Sequence, residues 1–317
     1  MKIKNFLVII ILLFLSIFLF LTCAREEKKG FIRIKSSAPG GSWYAGATAW
    51  AKLITNNTEF IATNNPSPGL SIESIARMLN GDAQLAFISS NVAYAAYKGE
   101  GIWENPVEVR ALFGIWPGVH NIIVNEDSGI KDIYDLKGKR IATYVEGDIT
   151  GDSFIELLAM HGVTPENTRF YRLMKNDGTR MFIDGRVDCI IYLFGHGHAN
   201  LIRITEARNV RLIFGDRKHI EPWMKRHPYY SYKRFGEEFG LEENYQFVTS
   251  YFTASLASLP EDMAYLFTKV WYENWDYLME ALPSNMPWIN RKNPMEGIPI
   301  PIHPGAERFY REIGLMR

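Results

Sequence analysis

The stretch RIKSSAPGGSWYAGATAWAKLI, Arg33 to Ile54, decides the fold. A short apolar strand runs into Pro39, Gly40 and Gly41 and releases at once into a helix opened by Ser42, Trp43 and Tyr44. Two glycines let a backbone turn sharply and approach another group closely, and a helix start leaves its first N–H groups without internal partners. Such a corner serves either as a ligand cradle or as a plain tight turn with Ser42 as N-cap. It lacks the Gly-Lys-Ser/Thr ending of a nucleotide phosphate loop and the spacing of a dinucleotide fingerprint, which argues against a nucleotide ligand.

Outward from this corner, strand-like and helix-like segments alternate. GFIRIKSS, EFIATNN and AQLAFIS read as strands, and Ser42 to Thr55 and Leu70 to Asn80 carry helical apolar spacing. A second set starts with KRIATYV at Lys139 and continues through a helix from Asp152 to Gly162, the strand TRFYRL, a helix through DGTRMFIDG and the strand DCIIYLF. Alternation of this kind implies parallel βαβ units. The two sets echo each other, MLNGDAQLAFIS against MFIDGRVDCIIYL, about a hundred residues apart.

Two similar α/β lobes from one chain are therefore expected. The runs RALFGIWPGVHNIIVNEDSGI and NYQFVTSYFTASLASLP cross between them as two hinge strands, with Trp116 and Pro117 in the first. In open α/β sheets ligands collect at the carboxyl ends of strands, and here both lobes point those ends at the cleft. The tail from Pro260 onward reads as helices, with PEDMAYLFTKVWYENWDYLMEAL at helical apolar spacing and its aromatic residues serving packing.

Composition narrows the function. With 35 basic and 35 acidic residues in 317, the chain shows no basic excess and no basic cluster, so no nucleic-acid partner is expected. MKIKNFLVIIILLFLSIFLFLTCAREEKKG places Lys2 and Lys4 ahead of an apolar run, an export signal ending before Cys23. Cys23 sits where a bacterial lipoprotein would be cut and lipidated, although Phe20 and Thr22 depart from the preferred box; an uncleaved signal anchor is the alternative. Either way the body is expected outside the cytoplasmic membrane. The other cysteine, Cys189, reads as a small buried residue. The boundaries are residues 1–22 for the signal, 23–30 for the tether, 31–114 with 252–317 for the first lobe, and 115–251 for the second.

Four strand ends carry polar groups. Besides the opening corner these are Gly69 and Ser71 in NNPSPGLSIES, Ser89-Ser90-Asn91 after LAFI, and TYVEGDITGDSF, where Glu146, Asp148 and Asp152 crowd a helix start beside Thr150. Each also reads as helix capping or dipole compensation. His196 and His198, two apart in LFGHGHANL, would share one face of a strand, but no further ligands accompany them, and no metal site or cofactor is expected. No catalytic motif appears, so the expectation is no enzyme.

The chain resembles the TAXI-type substrate-binding proteins of TRAP transporters, tripartite ATP-independent periplasmic uptake systems. The resemblance runs through APGGSWYAGATAWAKLI, NGDAQLAFISSN, EDSGIKDIYDLKGKRIAT, GRVDCIIYLFGHGH, RHPYY, ASLPEDMAYLFTKVWYE and IPIHPGAERFYREIG. It implies a type II periplasmic-binding-protein fold, two α/β lobes closing on a small organic metabolite that is delivered to an ion-gradient-driven permease. Relatives bind small acids such as glutamate or 2-oxoglutarate. A membrane-tethered sensor reporting to a signalling partner is the alternative on the same scaffold, since folds do not fix function. Carried over by position, Gly41, Ser42, Tyr44, Gly69, Ser71, Ser90, Asn91, Tyr192, Phe194 and Gly195 fall on the family's binding segments, with Ser74 and Asn91 departing from the pattern; Trp43, Asp148, Thr150 and His196, from the same strand ends of this chain, complete the candidate ligand contacts. Relatives have small donors where this chain has the three acids of TYVEGDITGD, so the expected ligand is not a plain dicarboxylate but one with an amine or several hydroxyls.

Overall fold

The computed structural model describes residues 30–69, 71–194, 198–235 and 244–317; the export segment with Cys23 and the candidate contacts Gly195 and His196 lie outside the described residues. Among the described residues no helix is long and apolar enough to cross a membrane.

Strand β1 (Gly30–Ser36) turns Ile32 and Ile34 inward and Phe31 and Arg33 to solvent, the alternation expected of a strand with one buried face. Its last three residues are all buried, as is the whole of β3 (Leu85–Ser89), because helices cover both faces at that level. β1 lies parallel to both β2 (Phe60–Pro66) and β3, and the sheet is completed in the order β2-β1-β3-β12-β4 by β4 (Val109–Gly114) and β12 (Tyr251–Leu256). β12 returns antiparallel between β3 and β4.

The second sheet runs in the order β10-β11-β5-β8-β6-β7, with β9 (Val210–Leu212) also paired to β5. Its parallel part is β7 (Arg169–Arg172), β6 (Arg140–Thr143) and β8 (Cys189–Leu193). β5 (Gly118–Asn125), β10 (Tyr230–Phe235) and β11 (Asn244–Thr249) are joined antiparallel. The chain therefore crosses between sheets twice, from β4 to β5 through Ile115–Pro117 and from β11 to β12 through Ser250. The repeated sequence is a repeated structure: Gly81 and Gly185, at φ +75° and +70°, each follow a helix and precede the central strands β3 and β8. Cys189 is free and fully buried.

The first core is aromatic. Trp50 meets Phe113 edge-on at 4.9 Å, Phe113 stacks on Trp271 at 4.7 Å, and the Trp50 Nε1–H donates to the Phe267 carbonyl at 3.1 Å. Phe267 and Trp271 belong to the tail, which packs on the first sheet; Tyr310 closes it by donating to the Leu112 carbonyl at 3.0 Å. The tail is helical, as its spacing suggested, and this stretch is divided into two helices, Glu261–Glu273 and Trp275–Ala281. Asn274 breaks it, its side chain donating to the Val270 carbonyl at 2.7 Å. In the second core Trp223 stacks on Tyr230 at 4.7 Å and donates to the Ser153 carbonyl at 2.9 Å.

Candidate functional site

The helices that follow the strands put their first turns at the carboxyl ends of the sheets, and three contacts show that the two sets of ends face each other. Asn91, in the first turn of the Ser90–Lys98 helix after β3, donates through Nδ2 to the Thr150 hydroxyl oxygen at 2.9 Å; Thr150 opens the Ile149–Met160 helix after β6. Ser90 donates to the Tyr229 carbonyl at 2.8 Å, and the rings of Tyr94 and Tyr229 lie 5.7 Å apart. Ser90, Asn91 and Thr150, drawn from distant parts of the sequence, thus meet across the cleft.

On the first lobe, Gly41 rather than Ser42 is the N-cap of the Ser42–Asn57 helix, and no side chain caps it. Ser42 is exposed and Tyr44 half-buried, whereas Trp43 is buried with its indole edge-on to Tyr251 at 4.9 Å, forming wall rather than rim. The second polar loop is turned inward: Ser71 and Ser89 share a hydroxyl hydrogen bond of 2.9 Å, and Ser74 donates to the Phe87 carbonyl. Gly69 offers its carbonyl to the ammonium of Lys35 at 2.7 Å. Lys35 is fully buried at the end of β1 and also donates to the Ser36 carbonyl, so it ties the two loops together; burial lowers its pKa.

The second lobe supplies the charge. Asp148 is the N-cap of the Ile149–Met160 helix, its Oδ1 accepting from the N–H groups of Thr150 and Gly151 at 2.9 and 3.0 Å. That cap starts the helix three residues earlier than its apolar spacing suggested. Asp152 pairs with Arg172 at 2.7 Å, and Arg172 also holds the carbonyls of Tyr144 and Val145. Glu146 is exposed. Of the three acids that suggested a repulsive loop, one is paired and one faces solvent, which leaves Asp148 as the acid acting on the cleft. Its field reaches Tyr144, Tyr230 and Tyr251, whose hydroxyls burial holds above the ordinary tyrosine range.

Tyr192 is buried and donates to the carbonyls of Thr143 and Leu173, both at 2.9 Å, so its hydroxyl braces β6 and β7 from within the lobe. The Lys175–Ile183 helix lies against that ring through Gly178, where a Cβ would stand 2.4 Å from the Tyr192 hydroxyl. Phe194 is buried, with Lys175 Nζ 5.7 Å above its ring and His198 5.3 Å away. His198 is not on a strand: it is the N-cap of the Ala199–Ala207 helix, Nδ1 accepting from the Asn200 N–H at 3.2 Å. Burial and then the charge of Lys175 lower its pKa to about 4. No cluster of metal-ligating side chains occurs among the described residues.

Two residues absent from the sequence-based candidates sit at the centre. His120 on β5 is buried, its Nδ1 2.9 Å from the Tyr144 hydroxyl and its Nε2 against Thr249 of β11, and burial with the Lys175 charge lowers its pKa to about 3. Lys175 opens its helix directly after β7, a fifth strand end with no glycine or small polar residue in RFYRLM to mark it in the sequence. Two buried polar atoms near the lobe junction, Asn91 Oδ1 and Trp116 Nε1, have no hydrogen-bond partner among the described residues.

The model of the NMT1-like family matches residues 34–314. Among solved structures, the periplasmic sulfonate-binding protein SsuA from Methylobacillus flagellatus KT aligns with a TM-score of 0.55 at 15% identity, covering 92% of this chain and 89% of that one. A TctC solute binding protein from Polaromonas aligns with a TM-score of 0.54 at 13% identity, covering 80% and 88%. At these identities the likeness is one of fold, and with the strand order above it makes this a type II periplasmic-binding-protein fold of two α/β lobes.

Proposed function

The chain belongs to the NMT1-like family, and from that premise we propose that it is an extracytoplasmic solute receptor that closes its two lobes on a small organic metabolite. The observation that carries this reading is the meeting of strand ends from both lobes, Asn91 on Thr150 and Ser90 on Tyr229, around a set of polar and aromatic groups with no catalytic constellation among them. A receptor needs that arrangement: little contact area within either lobe alone, and enclosure when both are engaged.

The finer reading is a TAXI-type receptor that hands its ligand to a TRAP permease driven by an ion gradient, tethered to the membrane through a lipidated Cys23. Residues 31–114 with 252–317 form one moving lobe in this proposal, and residues 115–251 the other. Native mass spectrometry of the chain from Lys28 onward, purified without refolding, tests the receptor role: one small molecule per chain, released chemically unchanged, is expected. Turnover of that molecule by the protein would overturn it. Uptake of the same molecule by cells should then require this chain and stop when the ion gradient is collapsed with ATP maintained; uptake that follows ATP alone would remove the TRAP assignment. Incorporation of labelled palmitate, lost in Cys23→Ser, tests the anchor.

A further inference from the structure

We infer that Lys175 selects the ligand's charge: the molecule held in the cleft presents one anionic group to the Lys175 ammonium, and Asp148 disfavours a second. This rests on the receptor reading above and assigns the residues that set its specificity.

The cations at this end of the second lobe behave differently. Arg172, at the end of β7, is engaged by Asp152 and by two backbone carbonyls. Lys175, three residues later, has no carboxylate within ion-pair distance among the described residues, and its ammonium stands over the face of Phe194. In the first lobe Lys35 is more deeply buried, but its donors are engaged by the Ser36 and Gly69 carbonyls. A cation withdrawn from water without a counter-ion is unfavourable until one arrives. Lys175, half-buried and reached by the field of Asp148 alone among the carboxylates, is partly in that condition.

The groups around Lys175 come from every neighbouring element, and none supplies a bonded counter-charge. His120 from β5 and His198 at the next helix start are held neutral by burial and by the lysine itself. The Tyr192 hydroxyl donates inward to two carbonyls, and Tyr144 is hydrogen-bonded to His120. Asp148 is the acid whose field reaches Lys175, and it too has no cation within ion-pair distance among the described residues, with Oδ1 committed to its helix cap. The lysine therefore draws one negative group, while Asp148 opposes a ligand bearing two. Burial lowers Lys175 to about 8, consistent with an ammonium out of bulk water.

The test is a thermal-shift and calorimetric panel of short monocarboxylates, dicarboxylates, diamines and polyols at neutral pH, together with any compound released from the purified protein. The expected result is that the best binder carries a single carboxylate. Lys175→Met should weaken it about 10- to 100-fold, the worth of a charge-assisted contact, whereas Lys175→Arg should stay within about threefold. The arginine variant separates loss of charge from loss of fold. A best binder that is a dicarboxylate, a diamine or a polyol, a monocarboxylate indifferent to Lys175→Met, or stabilisation by no carboxylate at all would each overturn the assignment. If a neutral or cationic compound binds, the receptor reading survives and the Lys175 assignment fails; if nothing binds and nothing is released, both fail.

Discussion

The two lobes present the same architecture to the cleft and opposite chemistry. On the first lobe the Ser42–Asn57 and Ser90–Lys98 helices begin without a side-chain cap, and Lys35 is tied into its own loops. On the second, Asp148 caps its helix with a carboxylate and Lys175 opens the next with an ammonium that no carboxylate among the described residues approaches to ion-pair distance. One lobe offers backbone donors that any acceptor can use, and the other offers a fixed pair of opposite charges. In the proposed receptor, grip would fall to one half of this duplicated design and selectivity to the other, so the halves should respond differently to perturbation.

The largest difference is expected where each lobe lays a helix on an aromatic ring through a glycine. At Gly178 a Cβ would stand 2.4 Å from the Tyr192 hydroxyl, and at Gly46 a Cβ would stand 2.6 Å from the Trp116 ring. The Tyr192 hydroxyl is held between the Thr143 and Leu173 carbonyls, whereas the Trp116 ring, packed against Phe87, has no hydrogen-bond partner for its Nε1–H among the described residues and gives up no such bond by moving. Gly178→Val should therefore cost about 3 kcal/mol and Gly46→Val nearer 1–2 kcal/mol, within the range for overpacked cores. Urea midpoints at constant m-value measure both, and equal losses would remove the distinction between a braced and a free ring.

Acid should separate the lobes next. His120, His161 and His198 in the second lobe and His303 in the first all have pKa values lowered by burial. The native state keeps them neutral while the unfolded chain takes protons near pH 6.5. Their contribution is complete above that pH and is lost as pH falls toward the folded values, about 3 for His120 and about 4 for His198. His120 alone should account for up to about 1.4 kcal/mol per pH unit below 6.5. His120→Gln should flatten the slope, and second-lobe amides should lose hydrogen-exchange protection before those of the first. A slope unchanged by that substitution would mean that His120 is protonated in the native protein.

What could be read from the sequence was local. β1, β3 and β8 are apolar runs ended by glycine or polar turns, and Gly81 and Gly185 mark two helix ends by positions a few residues from the strands they precede. Which acid acts on the cleft was not local. Asp152 is neutralised by Arg172, twenty residues on, and only the β6–β7 pairing brings them together. Lys175 was equally hidden, because a lysine at a helix start is ordinary until the fold shows that no carboxylate among the described residues has come within ion-pair distance of it. That the tail is helical was legible, but its division at Asn274 has a cause of the same kind, a side chain competing with the backbone inside a continuous apolar pattern.

The helix caps give the next step down. Asp148→Ala removes the acceptor of two N–H groups and should destabilise the protein by about 1 kcal/mol. Asp148→Asn keeps an oxygen acceptor and should recover most of that loss while removing the charge. On the binding side both variants should relax the discrimination against dicarboxylates. If Asp148→Asn binds succinate no better relative to a monocarboxylate than the parent does, the carboxylate is a cap and nothing more.

Ser42→Ala should show the smallest effect, and it addresses the other half of the comparison. Ser42 follows the N-cap instead of occupying it, is exposed, and makes no capping bond, so truncation should leave stability within about 0.5 kcal/mol. Its neighbours' N–H groups are untouched, so a ligand held by backbone donors should lose little, whereas one that bonds the hydroxyl should lose a contact worth about 1 kcal/mol, or some fivefold in affinity. Unchanged affinity would therefore assign the first lobe's grip to its backbone. A fivefold loss with unchanged stability would give that lobe a side-chain determinant of its own and weaken the division between a lobe that grips and a lobe that selects.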